Sequence, residues 1–170
     1  MVESELCDAK IFRMTNKESY EYILKLLPYT EPFLFVDDLI EVNDMGVLGS
    51  YTYSPKNHFY RGHFKNYPIT PGVILTETMA QIGLVCLGIH LLTQKENITD
   101  QLQIAMTSSE VEYLLPVHPG EKVLVESEKI YFRFGKLKCK VEMRNSEKKI
   151  VCQGVISGMM KLPSQQPLSK

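Results

Sequence analysis

The sequence predicts an α+β domain in which an antiparallel sheet of about five to six strands wraps around one long central hydrophobic helix. Two observations predict it. Residues 73–92 form the most apolar run of the chain, and its length suits a buried helix. Most segments after this run alternate between apolar and polar residues, as half-buried strands do. The 170 residues are enough for one domain, so we expect a single unit over 1–170.

The elements before the long helix are predicted from their boundaries. Residues 16–27 are amphipathic, with Asn16 as the expected helix cap and Pro28 as the stop. Residues 33–42 have the composition of a strand, the sequence NDMG after them is typical of a turn, and residues 47–54 are the expected returning strand. Residues 55–72 are rich in Pro, Gly, Asn and His, and we expect a loop there.

The elements after the long helix are predicted to be strands. A polar connection, residues 93–101, leads to strand-like segments at 102–114, 122–134, 135–145 and 148–161. The alternation is strict in the third, where Leu137, Cys139, Val141 and Met143 should point to one face of the sheet. Residues 163–170 should form a flexible tail.

Composition limits the possible functions. Nineteen basic and twenty acidic residues nearly cancel, which disfavours a nucleic-acid binder. The first residues do not look like a signal peptide, and five polar residues interrupt the long apolar run, so we expect a cytoplasmic protein with no membrane span. The four cysteines have no CxxC spacing and are predicted to be reduced packing residues. We expect no metal site and no cofactor, because neither ligand spacing nor a glycine-rich phosphate loop is present.

One carboxylate, Glu77, lies within the apolar run, and Gln81 follows it by one helical turn. A carboxylate buried in a helix is costly unless it is hydrogen-bonded or protonated, and a protonated carboxyl can act as a general acid. Gln81 could hold this side chain through its amide. The alternative is that Glu77 lies on a solvent stripe, but its apolar neighbours leave little room for one.

His63 and Gly72 lie shortly before Glu77. His63 follows Gly62 in the loop, and a histidine there can act as a base, although a surface histidine is the commoner case. Gly72 follows Pro71 at the helix start, where unpaired backbone N–H groups can stabilise an oxyanion; simple helix-start geometry is the alternative. A base, an acid and an oxyanion site together indicate proton removal and elimination next to a carbonyl.

The segment GHFKNYPITPGVILTETMAQ resembles the active-site segment of the 3-hydroxyacyl-[acyl-carrier-protein] dehydratases, the FabZ-like enzymes of fatty-acid biosynthesis. That family has a GHF sequence, a proline-rich loop, PG at the helix start, and an acidic residue followed four positions later by Gln. The resemblance continues in LLPYTEPFLFVDDLIEV, in PVHPGEKVLVE and in YFRFGKLKCKVEM. It therefore extends across most of the chain.

The resemblance implies a hotdog fold and removal of water from a (3R)-hydroxyacyl thioester to give the trans-2-enoyl thioester. His63 would remove the α-proton, Glu77 would protonate the leaving hydroxyl, and Gly72 N–H would hold the thioester oxygen. Gln81, Phe64 and Val73 would complete the substrate-binding site.

The resemblance also implies partners. The substrate would be carried on the phosphopantetheine arm of an acidic acyl carrier protein. The enzyme would be a homodimer, or a trimer of such dimers, in which different subunits supply the histidine and the acid. The candidate docking charges for the carrier protein are Arg61, Lys65, Arg133, Lys136 and Lys138.

The chain departs from the family pattern at three places: Tyr29-Thr30 replaces His-Arg, residues 65–67 replace Pro-Gly-Arg, and Glu112-Tyr113 replaces Arg-Phe. These changes indicate an altered acyl tunnel or carrier contact, and a specialised pathway is an alternative to housekeeping fatty-acid synthesis. Three other functions stay open: a hotdog thioesterase, a hydratase acting on coenzyme A thioesters, and a catalytically silent subunit that pairs with an active dehydratase.

Overall fold

The computed structural model describes residues 15–95, 98 and 102–162. Its six strands form one antiparallel sheet in the order β1-β2-β4-β5-β6-β3, and one long helix, α2, packs against it. The elements are α1 Asn16–Lys25, β1 Asp38–Asn43, β2 Gly46–Thr52, α2 Gly72–Thr93, β3 Gln103–Tyr113, β4 Lys122–Arg133, β5 Lys136–Arg144 and β6 Ile150–Lys161. The predicted fold class is confirmed. Cys7, most of the predicted connection 93–101 and the predicted tail 163–170 lie outside the described residues.

Helix α1 begins one residue earlier than the sequence predicts. Thr15 is its cap, because the Thr15 hydroxyl accepts a hydrogen bond from Glu18 N–H (3.3 Å) and the Glu18 carboxylate accepts one from Thr15 N–H (2.8 Å). This reciprocal pair is a capping box, which satisfies two main-chain donors at the same time. The prediction of Asn16 as the cap was therefore wrong, since Asn16 is the first helical residue.

The strand predicted over residues 33–42 begins only at Asp38. In the preceding segment, main-chain groups of Phe33 and Phe35 bond to a helix side chain instead of a neighbouring strand. Phe35 N–H donates to Gln81 Oε1 (2.8 Å), and Phe33 C=O accepts from Gln81 Nε2 (3.0 Å). Because a strand is defined by main-chain pairing, this segment belongs to the helix contact and not to the sheet.

Helix α2 is the core of the molecule. By length and composition it could cross a membrane, yet most of it is buried inside the protein, and residues 81–89 are all buried. The prediction of a buried core helix is confirmed. Residues Gln81–Cys86 form a π-helical segment, in which the hydrogen bonds span one residue more than in an α-helix. At Gly83 the helix backbone comes so near the sheet that a Cβ would lie 2.9 Å from a Val141 methyl carbon.

The strict alternation predicted in β5 is confirmed. Leu137, Cys139, Val141 and Met143 are fully buried against the helix, while Lys138 and Lys140 reach the opposite side. Three cysteines, Cys86, Cys139 and Cys152, are free and buried, as predicted for packing residues. Burial in apolar surroundings raises the pKa of the Cys139 and Cys152 thiols to about 12, so both stay protonated at neutral pH.

Candidate active site

His63 lies in the loop between a short 3₁₀ turn, His58–Arg61, and helix α2. Two reciprocal bonds hold it against Ile69: Ile69 N–H donates to His63 C=O (3.0 Å), and His63 Nδ1 contacts Ile69 C=O (2.9 Å). A carbonyl oxygen can only accept, so Nδ1 carries the proton. In the neutral ring this leaves the Nε2 lone pair as the base.

Ring stacking and hydrogen bonds order this loop. The His63 ring stacks on the half-exposed Phe64 ring, with ring centres 3.9 Å apart. Nearer to helix α2, Thr70 N–H donates to Val117 C=O (2.8 Å), and the Tyr60 and Thr70 hydroxyls are hydrogen-bonded at 2.5 Å. The PVHPGE turn, which contains Val117, therefore supports the end of the histidine loop that leads into helix α2.

Glu77 and Gln81 contact each other as their spacing predicts. Gln81 is fully buried, and its Nε2 donates to Glu77 Oε1 (2.9 Å) and to Phe33 C=O (3.0 Å). Its Oε1 accepts from Phe35 N–H, which fixes the orientation of the amide. Glu77 itself is only partly buried, and Gln81 holds the Oε1 atom of its carboxyl group.

Tyr29 is a further polar group near Glu77. Burial raises the pKa of the Tyr29 phenol, and the negative charge of Glu77 raises it further, so the phenol stays protonated and can donate a hydrogen bond. A sequence signal exists at this position, since Tyr29 stands where the resembled family has histidine. The proximity to Glu77 was not predicted, because the two residues lie 48 positions apart in the chain.

The start of helix α2 brings Gly72 and Val73 to the same region. Ile74 and Leu75 N–H groups donate to Pro71 C=O (2.9 and 3.1 Å), whereas the first two helical N–H groups have no carbonyl one turn earlier. Val73 is 74% exposed, so this helix start faces outward. The positive end of the helix dipole and free N–H groups suit an anionic oxygen at this point.

Tyr113, at the end of β3, covers the helix start. A Cβ at position 72 would lie 3.1 Å from the Tyr113 ring, and the Tyr113 hydroxyl is 2.5 Å from Thr76 Oγ1. In the sequence, Tyr113 is distinguished only as a departure from the family pattern. Its contact with the helix start depends on the sheet register and could not be predicted.

The predicted site residues are not all together within one chain. No hydrogen bond joins His63 to Glu77 among the residues that the structure describes; each has its own partner. Arg61 and Lys65 are exposed on the histidine loop. Arg133 and Lys136 flank the β4–β5 turn. This turn lies at the opposite end of β4 from the PVHPGE turn, roughly 35 Å away along a twelve-residue strand.

The outer face of the sheet carries a separate groove of about 370 Å³. None of the predicted site residues lines it; its walls include Glu41, Glu126, Glu128, Lys140 and Glu142. Among the described residues, no group of three or more His, Cys, Asp or Glu side chains is arranged to hold a metal ion. Because none of the predicted site residues lines the groove, it is distinct from the candidate active site.

Comparisons with solved structures show the fold. The dehydratase heterocomplex ApeI:P of Xenorhabdus doucetiae has a TM-score of 0.70 at 16% identity, with coverage of 84% of this chain and 92% of that one. A hypothetical thioesterase of Streptococcus pneumoniae, solved with coenzyme A, has a TM-score of 0.54 at 13% identity, with coverage of 74% and 85%. Both are hotdog proteins, so the predicted hotdog fold is confirmed.

Sequence comparisons show the family. The 3-hydroxyacyl-[acyl-carrier-protein] dehydratase FabZ of Caldicellulosiruptor saccharolyticus is 32% identical over 135 residues, which cover 78% of this chain and 91% of that enzyme. The bifunctional enzyme LpxC/FabZ of Chlorobaculum tepidum is 34% identical over 106 residues, and this chain spans 22% of its length. The FabA-like domain model matches residues 27–155. Because that match covers most of the chain, the protein belongs to the FabA-like family of hotdog proteins and resembles its FabZ members.

Proposed function

We propose that this protein is a 3-hydroxyacyl-[acyl-carrier-protein] dehydratase, which removes water from a (3R)-hydroxyacyl thioester to give the trans-2-enoyl thioester. One observation carries the proposal: Ile69 C=O fixes the proton on His63 Nδ1 and leaves Nε2 as a base. The FabZ relative supports the same reaction class. The reaction belongs to fatty-acid synthesis or a related acyl pathway, which we place in the cytoplasm.

The reaction begins at the α-carbon of the thioester. His63 Nε2 takes the α-proton, and the electron pair moves into the carbonyl to give an enolate. The Gly72 N–H, at the positive end of α2, donates to the enolate oxygen. When the enolate collapses, the bond between Cβ and the hydroxyl breaks.

The leaving hydroxyl takes its proton from Glu77, and water departs. Gln81 is buried and bonded on both ends of its amide, so in this mechanism it positions Glu77 and does not contact the substrate. Phe64 and Val73, both largely exposed in the single chain, would line the entrance for the acyl group. The proton on His63 returns to Glu77 through solvent to complete the cycle.

The active enzyme in this proposal is a homodimer with its sites at the subunit interface. Strand β3 is at one edge of the sheet, and every residue in it except Ile104 and Val111 is exposed. A long, exposed edge strand is ready to pair with another chain. A dimer made by β3 would also supply the missing half of a site that one chain leaves open. The dehydratase heterocomplex ApeI:P supports an oligomeric assembly.

The same pairing would gather the docking charges. Gln103, at the start of β3, pairs with Lys161, and Lys136 pairs with Met159, so the β4–β5 turn lies at that end of the sheet. If two β3 strands pair antiparallel, this end of one subunit comes beside Tyr113 of the other. Arg133 and Lys136 of one subunit, with Arg61 and Lys65 of its partner, would then face an acidic carrier protein together.

The first experiment measures enoyl absorbance after adding 3-hydroxyacyl thioesters, on carrier protein or its short pantetheine mimic. Wild type should turn over, while His63→Ala and Glu77→Gln should each lose at least about a hundredfold in kcat, as expected for an essential base or acid. Release of free thiol would instead identify a thioesterase. A folded protein that is inert with every substrate would favour the silent-subunit alternative.

The second experiment tests whether the site is shared between subunits. His63→Ala and Glu77→Gln chains are co-expressed with different tags, and the mixed dimer population is assayed. If different subunits supply the two groups, half of the dimers contain one intact site out of two, and activity returns to about one quarter of wild type. If one chain supplies both groups, every site carries a defect and activity stays at the level of the single variants.

A further inference from the structure

Three tyrosine–threonine hydroxyl pairs hold helix α2 and the loop before it. Tyr60 bonds to Thr70 (2.5 Å), Tyr53 to Thr78 (2.7 Å) and Tyr113 to Thr76 (2.5 Å). The three differ in position. The first lies before the helix, and the second lies in the fully buried core. The third spans the first turn of the helix from Gly72 to Thr76, whereas the second reaches that turn only through the Thr78 hydroxyl, which donates to Ile74 C=O (2.9 Å).

The first turn of α2 lacks the usual means of stabilisation. Its cap is Pro71, which makes no side-chain capping bond, whereas α1 is closed by a complete capping box. Helix ends without caps fray, because their first N–H groups have no partners in the helix. A helix start that must aim an N–H group at a substrate oxygen therefore needs support from elsewhere.

Tyr113 has the geometry to give this support. Its ring lies against Gly72, where the absence of a side chain allows the close approach, and its hydroxyl reaches Thr76, one turn later. The side chain thus spans the first turn from start to end. Tyr113 is 49% exposed, so it also forms part of the surface beside the Gly72 backbone.

We propose that Tyr113 is a positioning residue, which clamps the first turn of α2 through Thr76 so that the Gly72 N–H stays aimed at the thioester oxygen. This inference rests on the proposed dehydratase function. A phenylalanine at this position would keep the ring but lose the hydroxyl, so the clamp is a feature of this chain and not of the Arg-Phe pattern it departs from. Because the oxyanion develops during the reaction, the clamp should affect turnover more than substrate binding.

The kinetic test compares Tyr113→Phe, Thr76→Val and the double variant. Each single change should lower kcat about three- to tenfold with KM within about twofold, since one hydroxyl bond is lost. The double variant should be no worse than either single one, because both remove the same bond. Tyr53→Phe is the matched control: it removes a tyrosine–threonine bond from the same helix on a different face, and it should lower Tm while leaving kcat unchanged. Unchanged kcat in Tyr113→Phe, or an equal loss in Tyr53→Phe, would overturn the proposal.

Hydrogen exchange gives a second test that needs no substrate. The Ile74 and Leu75 amides, both bonded to Pro71 C=O, report on the first turn. They should exchange severalfold faster in Tyr113→Phe and Thr76→Val than in wild type, and at the wild-type rate in Tyr53→Phe. Equal rates in all four proteins would contradict the clamp. If wild type has no dehydratase activity but the exchange rates differ as expected, the proposed function fails while the clamp stands.

Discussion

Gln81 links the candidate acid to the rest of the molecule. Its amide, which is fully buried, joins a helix carboxylate to the segment before β1. A buried amide with partners on both ends has one stable orientation. Its hydrogen bond to Glu77 therefore fixes the position of the Glu77 side chain. We expect this contact to matter for stability as well as for chemistry.

Replacing Gln81 with leucine should therefore destabilise the fold. The change leaves Phe35 N–H buried without its partner and also removes the bond to Phe33 C=O, which should lower the free energy of unfolding by roughly 2–4 kcal/mol. Urea denaturation followed by circular dichroism measures it. Gln94→Leu is the control: Gln94 lies at the exposed end of the helix region, and its loss should cost less than about 0.5 kcal/mol. Equal effects of the two changes would contradict this account.

Gly83 sets the distance between helix α2 and the sheet. A Cβ there would lie 2.9 Å from Val141 and 3.1 Å from Ser127. Alanine is ordinarily the better helix former by about 1 kcal/mol, but here overpacking should dominate. Two elements in such close contact cannot both keep their positions if a methyl group is added between them.

Gly83→Ala should therefore lower the free energy of unfolding by about 1–3 kcal/mol, measured by chemical denaturation. The control is Gly62→Ala, where an added Cβ meets no atom within 4 Å and the backbone φ of −124° suits any residue. The free energy of unfolding of Gly62→Ala should stay within about 0.5 kcal/mol of the wild-type value. A stabilised Gly83→Ala protein would show that the helix has room to move away from the sheet.

The β4–β5 hairpin contains a residue that its turn does not favour. Phe134 and Gly135 both have positive φ, +51° and +75°, and connect the paired residues Arg133 and Lys136. Two-residue turns of this kind prefer Asn-Gly, and the Phe134 ring is 99% exposed, so it contributes little burial.

Phe134→Asn should raise the unfolding free energy by about 0.5–1 kcal/mol, which corresponds to a Tm increase of a few degrees in differential scanning calorimetry. Phe134→Ile should have the opposite effect, because a β-branched side chain is strained at positive φ. If both variants melt below wild type, the exposed ring contributes to stability in a way that the turn geometry does not explain.

At the scale of the whole molecule, the core places several weakly acidic groups away from water. The pKa of the Cys139 and Cys152 thiols is raised to about 12, and burial also raises the pKa of Cys86 and of Tyr53. The folded state therefore keeps these protons at a pH where the unfolded chain loses them. The resulting stabilisation is complete below about pH 8.5, the ordinary thiol pKa, and is lost as pH rises toward 12.

The urea midpoint should accordingly fall steadily between pH 9 and 11, measured in a reducing buffer. Cys139→Ala/Cys152→Ala should show a shallower decline, although its midpoint at pH 8 will be lower because of the lost packing. Parallel curves for the two proteins would show that these thiols do not control the alkaline limit of stability.

The sequence by itself determined the fold class, the core face of β5 and the contact of Glu77 with Gln81. Each depends on local periodicity: alternation defines a strand face, and a spacing of four places two side chains together on a helix. It also identified the family, because the GHF, PG and Glu-x-x-x-Gln positions lie within one continuous segment.

Only the tertiary structure decided which distant groups meet. The ring of Tyr113 against Gly72, the phenol of Tyr29 near Glu77 and the bond from Phe35 to Gln81 each join residues far apart in the chain. It also ended the first predicted strand early, since Gln81 takes the main-chain groups that a strand would use. The physical reason is the same in each case: local patterns fix what a segment can form, whereas sheet register and helix docking fix its partners.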